Sequence, residues 1–325
     1  MSSPIVQSLL SPAVLAFGLG AAARAAKSDL KFPPGLLQGL SIYLLLAIGL
    51  KGGVRLAESG LTALGGPLIA TIALGLCGSL STFYFSRYFG KLSVIDSAAI
   101  AAHYGSVSVV TFSAAQQWTT ANVAAPEGFM PALVAAMEVP GIVLALAIAR
   151  QADANEDGPR PSLWKSTIPL LTSMSMVLLI GGILIGAFSA KEQMDKALPL
   201  FELLFPGVLI LYMLDLGRLA VSRLQEVNGR WGFVLGLGIA GPVVLGALGV
   251  IFGHAAGLSV AGSTVMGAMG ASASYIAAPL AVRLSLPKAN QGLALALAIG
   301  VSFPFNLILG IPLYAIIASW LAGVS

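Results

Sequence analysis

Apolar stretches of about 20 residues, long enough to cross the hydrocarbon core of a bilayer as a helix, recur throughout this chain. Short connections between them hold most of the charge. A bilayer offers no water to backbone N–H and C=O groups, so such stretches must satisfy one another as helices. A β-barrel would show shorter segments of alternating polarity, and none is visible. Only 9% of the 325 residues are charged, against about 25% in a soluble protein. That is too few to cover a surface facing water. The chain reads as an all-α integral membrane protein, and its 38 glycines fit close helix packing in lipid.

Ten spans are expected, at about 10–26, 34–50, 61–86, 93–121, 128–149, 164–188, 198–217, 231–253, 259–284 and 290–322. The most polar connection runs from Gln151 to Lys165 and divides them five and five. Residues 1–150 then form one five-helix repeat, 151–163 a cytoplasmic linker and 164–325 a second repeat. Ala21 to Ala26 looks like a small-residue cleavage region, but no Lys or Arg precedes Arg24. The basic start of a signal peptide is missing, so the first span is read as retained. The lone Cys77 leaves no internal disulfide and no cysteine-based metal site.

Basic residues orient the spans. With the N-terminus outside, the inner connections hold Arg24, Lys27, Lys31, Arg87, Lys91, Arg150, Arg160, Lys165, Arg218, Arg223, Arg230, Arg283 and Lys288, 13 of the 17. Lys51, Arg55, Lys191 and Lys196 fall outside. This bias places both termini on the outer side of the plasma (inner) membrane. The sequence pI of about 9.3 reflects these loops. No Lys/Arg cluster with interleaved aromatics points to nucleic acid. Five spans being odd, the second half enters from the opposite face. Similar halves in opposite orientation make an inverted repeat, whose two interchangeable poses supply alternating access.

The halves share an unusual feature. Gly105-Ser106-Val107-Ser108 interrupts the fourth span and Ala271-Ser272-Ala273-Ser274 the ninth, 166 residues apart. Each lies downstream of a Ser-Val pair, Ser93-Val94 and Ser259-Val260, and upstream of a proline-containing span at Pro140 or Pro304. Gly105 and Gly270 permit unwinding there. Two broken helices meeting at mid-depth oppose two half-helix N-termini, each carrying roughly +0.5 charge. Together they match one monoanion, with Gly105, Ser106, Val107, Ser108, Ser272, Ala273 and Ser274 as substrate-binding candidates. The bland alternative is that small residues simply let helices pack closely.

A coupling cation such as Na⁺ could bind nearby, with Ser108, Thr111, Glu138, Ser274 and Asn306 as its candidate ligands. Glu138 is an intramembrane carboxylate two residues before Pro140, a functional hypothesis by default. It could bind Na⁺, carry a proton or partner a serine. Its counterpart Ser302 is neutral. Asn306 offers an amide oxygen where Pro304 opens the helical ladder. Asp96 reads as compensation of a helix start, and Asp215 with Arg218 as a local pair. His103 reads as a packing or hydrogen-bonding residue, and His254 as an outer-loop residue. Enzyme motifs such as H-E-x-x-H, a P-loop or G-x-S-x-G do not occur. A channel lacks its usual repeated pore loop or charge ring.

These residues carry a resemblance. Asp96 through Gly105-x-x-Ser108-x-x-Thr111, Met137-Glu138-Val139-Pro140, Ala271-Ser272-Ala273-Ser274 with Pro279 and Arg283, and Phe303-Pro304 through Ile311-Pro312-Leu313-Tyr314 together resemble the sodium-dependent bicarbonate transporter superfamily known from cyanobacteria. The resemblance implies ten helices in core and gate domains, a homo-oligomer (often a trimer), Na⁺-coupled bicarbonate uptake, and regulation by a cytoplasmic PII-like protein. The cyanobacterial transporters follow the second serine cluster with Asp, where this chain has Tyr275. It therefore looks like a divergent branch. Bicarbonate is the first expected anion and another small carboxylate, with Na⁺ or H⁺ coupling, the alternative.

Overall fold

The computed structural model describes residues 4–59, 63–152, 163–227 and 229–324. Most of the expected linker, including Asn155, lies outside the described residues. Of the described residues 82% are helical, and none of them forms a strand.

The helices are α1 (Pro4–Leu9), α2 (Pro12–Ala25), α3 (Pro34–Ser59), α4 (Gly65–Tyr88), α5 (Val94–Tyr104), α6 (Val109–Asn122), α7 (Met130–Met137) and α8 (Pro140–Ala152). After the linker come α9 (Leu163–Leu171), α10 (Met174–Phe188), α11 (Lys191–Leu203), α12 (Phe205–Leu224), α13 (Trp231–Ala255), α14 (Val260–Gly270), α15 (Ala277–Ser285) and α16 (Gln291–Leu295). The last span continues through π-helical Ala296–Ser302, the short α17 (Phe303–Phe305) and π-helical Asn306–Gly310 into α18 (Ile311–Leu321).

The starts of many helices follow from single side chains. Ser11, Ser93, Ser108, Ser173, Ser259 and Asn290 each precede a helix and accept a hydrogen bond from one of its first backbone N–H groups. These donors have no intrahelical partner, so a capping oxygen replaces the water that is absent. In the last span, Pro304 brings no N–H to the ladder, and both flanking segments widen into π-turns. Such bulges concentrate at functional sites.

Seven helices among the described residues are long and apolar enough to cross a membrane. They coincide with seven of the expected spans. The other three expected spans contain shorter helices, each for a local reason. Around 10–26 lies the 14-residue α2. The 164–188 stretch is interrupted at Thr172-Ser173, where Ser173 caps a fresh helix. The 259–284 stretch is interrupted between Gly270 and Ala277.

Packing divides the helices into two groups. In one, α3 lies along α10 and α2 along α12. The α3–α10 seam is built on Gly49 and Gly53 facing Gly182 and Gly186. A Cβ on Gly53 would come 2.1 Å from the Ile183 carbonyl oxygen, and one on Gly186 2.2 Å from that of Leu50. Glycines four apart let backbones touch where lipid supplies no hydrophobic drive. The other group centres on α4, α5, α8, α13, α14 and α18. Here α4 lies along α5 as α13 lies along α14, and α8 packs on α5 as α18 packs on α14.

Candidate functional site

Helix α5 ends at Gly105, and the chain runs non-helically to Ser108 before α6 begins. Helix α14 ends at Gly270, and the chain runs from Ala271 to Ile276 before α15 begins. Neither break uses a left-handed glycine: Gly105 has φ −82°, and Ala271 rather than Gly270 terminates α14, with φ −74°. The unwinding expected from glycine flexibility therefore has another cause. Gly105 is needed for contact, because a Cβ there would lie 2.7 Å from Ser79 Cβ and 3.0 Å from Gly141 Cα.

The two breaks are tied to each other. The Ser108 N–H donates to Ser272 Oγ at 2.9 Å, and that hydroxyl donates to the Met269 carbonyl at 2.7 Å. The Ser274 N–H donates to the His103 carbonyl at 2.8 Å. Each break thus satisfies backbone groups of the other, which non-helical backbone in a membrane requires. Ser108 Oγ accepts from the Thr111 N–H at 3.2 Å, and Ser274 Oγ accepts from the Ala278 N–H at 3.3 Å. Ser108 caps α6, Ser274 reaches from three residues ahead of α15 to a first-turn N–H, and each hydroxyl keeps a proton to donate.

A small cavity lies beside this crossing. It measures about 10 Å³ and is lined by Val107, Ser108, Glu138, Ser175, Ser274 and Tyr275, with Val109 and Ile276. That is room for about one water-sized sphere. Glu138 closes the C-terminal end of α7, where Pro140 starts α8. It is buried, at 3% exposure. Ser175 Oγ donates to Glu138 Oε1 at 2.6 Å, and Oε2 has no protein partner. A buried carboxylate with one unsatisfied oxygen is costly, and it faces the same small space as two helix starts.

The other candidates are placed nearby but not on the cavity. Ser106 is buried, with an unpartnered hydroxyl. Ser272 ties the breaks together, and Ala273 is buried among apolar side chains. Thr111 lies one turn into α6, and its backbone engages Ser108. Asn306 spends its amide on the protein: Nδ2 donates to the Ala271 carbonyl at 2.9 Å, while Oδ1 accepts from the Tyr314 hydroxyl at 2.8 Å. Ser302, the neutral counterpart of Glu138, bonds Tyr104 at 2.5 Å and donates to the Gly238 carbonyl.

Asp96 accepts from Ser93 Oγ and the Asp96 N–H bonds back to the same hydroxyl, as a helix-start role requires. Its Oδ1 also accepts from the Asn290 N–H at 2.8 Å, joining the two halves. Glu127 does the same elsewhere, accepting from the Ser259 N–H at 2.6 Å. Arg218 pairs with Asp215 at 2.7 Å. His103 is fully buried, with Nδ1 bonded to the Ala99 carbonyl. His254 is exposed, on the last turn of α13 rather than in a loop.

Sequence reasoning missed Ser175. It sits 37 residues from Glu138 in an apolar run, and only its place two residues after a capping serine hinted at a polar pocket. Tyr275 was visible as a departure from Asp, but not as a wall of the cavity. Its ring stands edge-on to Phe303 at 5.9 Å.

Comparison with known proteins fixes the family. Residues 12–319, nearly the whole chain, match the Na⁺-dependent bicarbonate transporter superfamily. The chain belongs to this superfamily. No curated protein matches it. Membership and the apolar helices together fit a multi-pass membrane transporter, in a family defined by Na⁺ and bicarbonate.

Proposed function

We propose that this superfamily member takes up bicarbonate together with Na⁺ by alternating access, with the ions held at the crossing of the α5–α6 and α14–α15 breaks. The observation that carries the reading is the shared cavity: two helix starts, three serines and one half-satisfied carboxylate line a single small space. Helix N-termini and hydroxyls favour an anion. Glu138 repels one unless a cation lies between them, so anion and Na⁺ bind well only together. Coupling also answers the membrane potential, which opposes entry of a lone anion by about 2.3 kcal/mol per 100 mV. The cavity holds one water-sized sphere, and bicarbonate needs several times that room. Loading therefore requires the crossing to open, with Tyr275 displaced.

The same reading takes the fold as ten crossings in a 5+5 inverted repeat, with both termini outside. The interchange of partners supports it: α3 pairs with α10 as α12 pairs with α2, and α4 pairs with α5 as α13 pairs with α14. The α2–α3–α10–α12 group is then the gate and the other group the moving core. A second reading, another small carboxylate as cargo, is favoured by Tyr275 in the cavity wall, where its ring offers an apolar face.

Uptake of labelled bicarbonate into proteoliposomes tests this. An inward Na⁺ gradient should drive accumulation, and its removal should abolish it. Accumulation that ignores Na⁺, or flux that only dissipates gradients as a channel does, sinks the reading. Competition by acetate or formate stronger than bicarbonate itself moves the assignment to a carboxylate.

A further inference from the structure

Another cavity lies away from the crossing, at the far end of α6. It measures about 410 Å³, and Lys51 and Arg55 of α3 line it together with Gln116, Gln117 and Thr120 of α6 and Glu202. Lys51 and Arg55 are four apart, hence on one face of their helix. Lys51 Nζ sits 3.8 Å above the Phe205 ring, which holds the ammonium in place. Gln117 brings a buried Nε2 donor with no protein partner. By the charge argument, only four of the 17 basic residues lie on the outer side, and two of those four meet in this cavity. A basic pair placed against the general bias has a local reason.

We propose that this cavity is an outer vestibule that captures a small oxyanion before it reaches the crossing. Two cations and the Gln117 amide supply attraction and donors, while Glu202 offsets part of that charge, so the anion is held loosely and passes on. The placement suits the task. Helix α6 has 14 residues, about 20 Å at 1.5 Å per residue, with the vestibule at its C-terminal end and the capped start at the crossing. The cavity also straddles the two packing groups, with α3 and Phe205 on one side and α6 and Pro131 on the other. Movement of one group against the other reshapes it. Lipid phosphate shares this oxyanion chemistry, so the test separates the two sources. The proposal rests on the transport reading above.

The test places a cysteine at position 55 (Arg55→Cys) in a Cys77→Ala parent and reconstitutes it in phosphatidylcholine vesicles. Loss of the charge should raise the KM for bicarbonate about two- to fivefold, the size of one partly exposed ion pair, with little change in maximal rate. A cationic, membrane-impermeant thiol reagent should restore the KM, and an anionic one of similar size should raise it further. The reagents act on protein already folded, so misfolding cannot mimic this pattern. Lys51→Gln should reproduce the rise. A KM indifferent to both reagents while uptake remains Na⁺-dependent overturns the vestibule and leaves the transport reading standing. Absence of Na⁺-driven uptake in the parent removes that reading instead, and with it this one. An effect seen only when anionic lipid is added to the vesicles assigns the cavity to a lipid headgroup and overturns the proposal.

Discussion

Ser108 and Ser274 each serve two partners, and their substitution separates structure from binding. Alanine at Ser108 removes a cap worth about 1 kcal/mol, and alanine at Ser274 removes a hydrogen bond to the first turn of α15. If the hydroxyl also holds the ion, it removes a charge-assisted hydrogen bond of roughly 1.5–3 kcal/mol as well. Ser108→Ala and Ser274→Ala are therefore expected to raise the KM for substrate about tenfold or more, with a modest loss of thermal stability. Ser272→Ala is the contrast: it cuts the tie to the Ser108 N–H, so stability should fall more than KM changes. Wild-type KM in both the Ser108 and Ser274 variants would place the anion elsewhere. Glu138→Gln keeps an oxygen to accept from Ser175 and removes the charge. Uptake by this variant should lose its steep dependence on external Na⁺, while unfolding temperature stays near the parent value. Unchanged Na⁺ activation would leave Glu138 a purely structural partner of Ser175. These three residues could be singled out in the sequence because a carboxylate and paired serines are conspicuous in apolar runs. The true surroundings of Glu138 were hidden, since Ser175 comes from another helix, and Asn306 proved committed to Ala271 and Tyr314.

At the scale of helices, what could be read depended on whether a boundary was written locally. Caps and helix-start prolines mark many starts, such as Ser11 with Pro12. The break at Ser173 was not visible, because one serine in a run of apolar residues does not itself end a helix. Pro242 shows the converse: it lies inside the unbroken α13, and its carbonyl accepts from the Tyr314 hydroxyl at 3.0 Å. The π-turns around Pro304 also escaped, since a proline marks where the ladder opens without fixing how the turns beside it close. The glycine seam was legible only as composition. Its location yields a sharp contrast. Gly53→Leu forces a side chain into the α10 backbone and should destabilise the protein by about 1–3 kcal/mol, seen as a lower unfolding temperature in detergent. Gly181→Ala, one position from the seam with nothing within 4 Å, should be neutral or slightly stabilising. Equal behaviour of the two variants would mean that α3 and α10 do not meet through these glycines.

For the whole molecule, the charge bias and the pairing of helices both bear on the proposed topology. Thirteen basic residues fall in the connections assigned inside and four in those assigned outside. Reversing the protein would put the larger set across the membrane, against the positive-inside tendency at nearly every loop. The exchanged partnerships, α3 with α10 and α12 with α2, fit the proposed repeat, whose halves would be related by a two-fold axis lying in the membrane plane. Such a relation requires the 151–163 connection and the α10–α11 connection to lie on opposite faces. Single cysteines in a Cys77→Ala parent test this directly. Ala190→Cys, at an exposed position just before α11, should react with an impermeant thiol reagent applied to intact cells. Asn155→Cys should react only after the membrane is opened. Inverted vesicles should swap the two results. Labelling of both positions from outside would break the odd-numbered half on which the inverted repeat depends. Labelling of Asn155→Cys alone would reverse the molecule, keep the repeat, and move the Lys51–Arg55 vestibule to the cytoplasmic face.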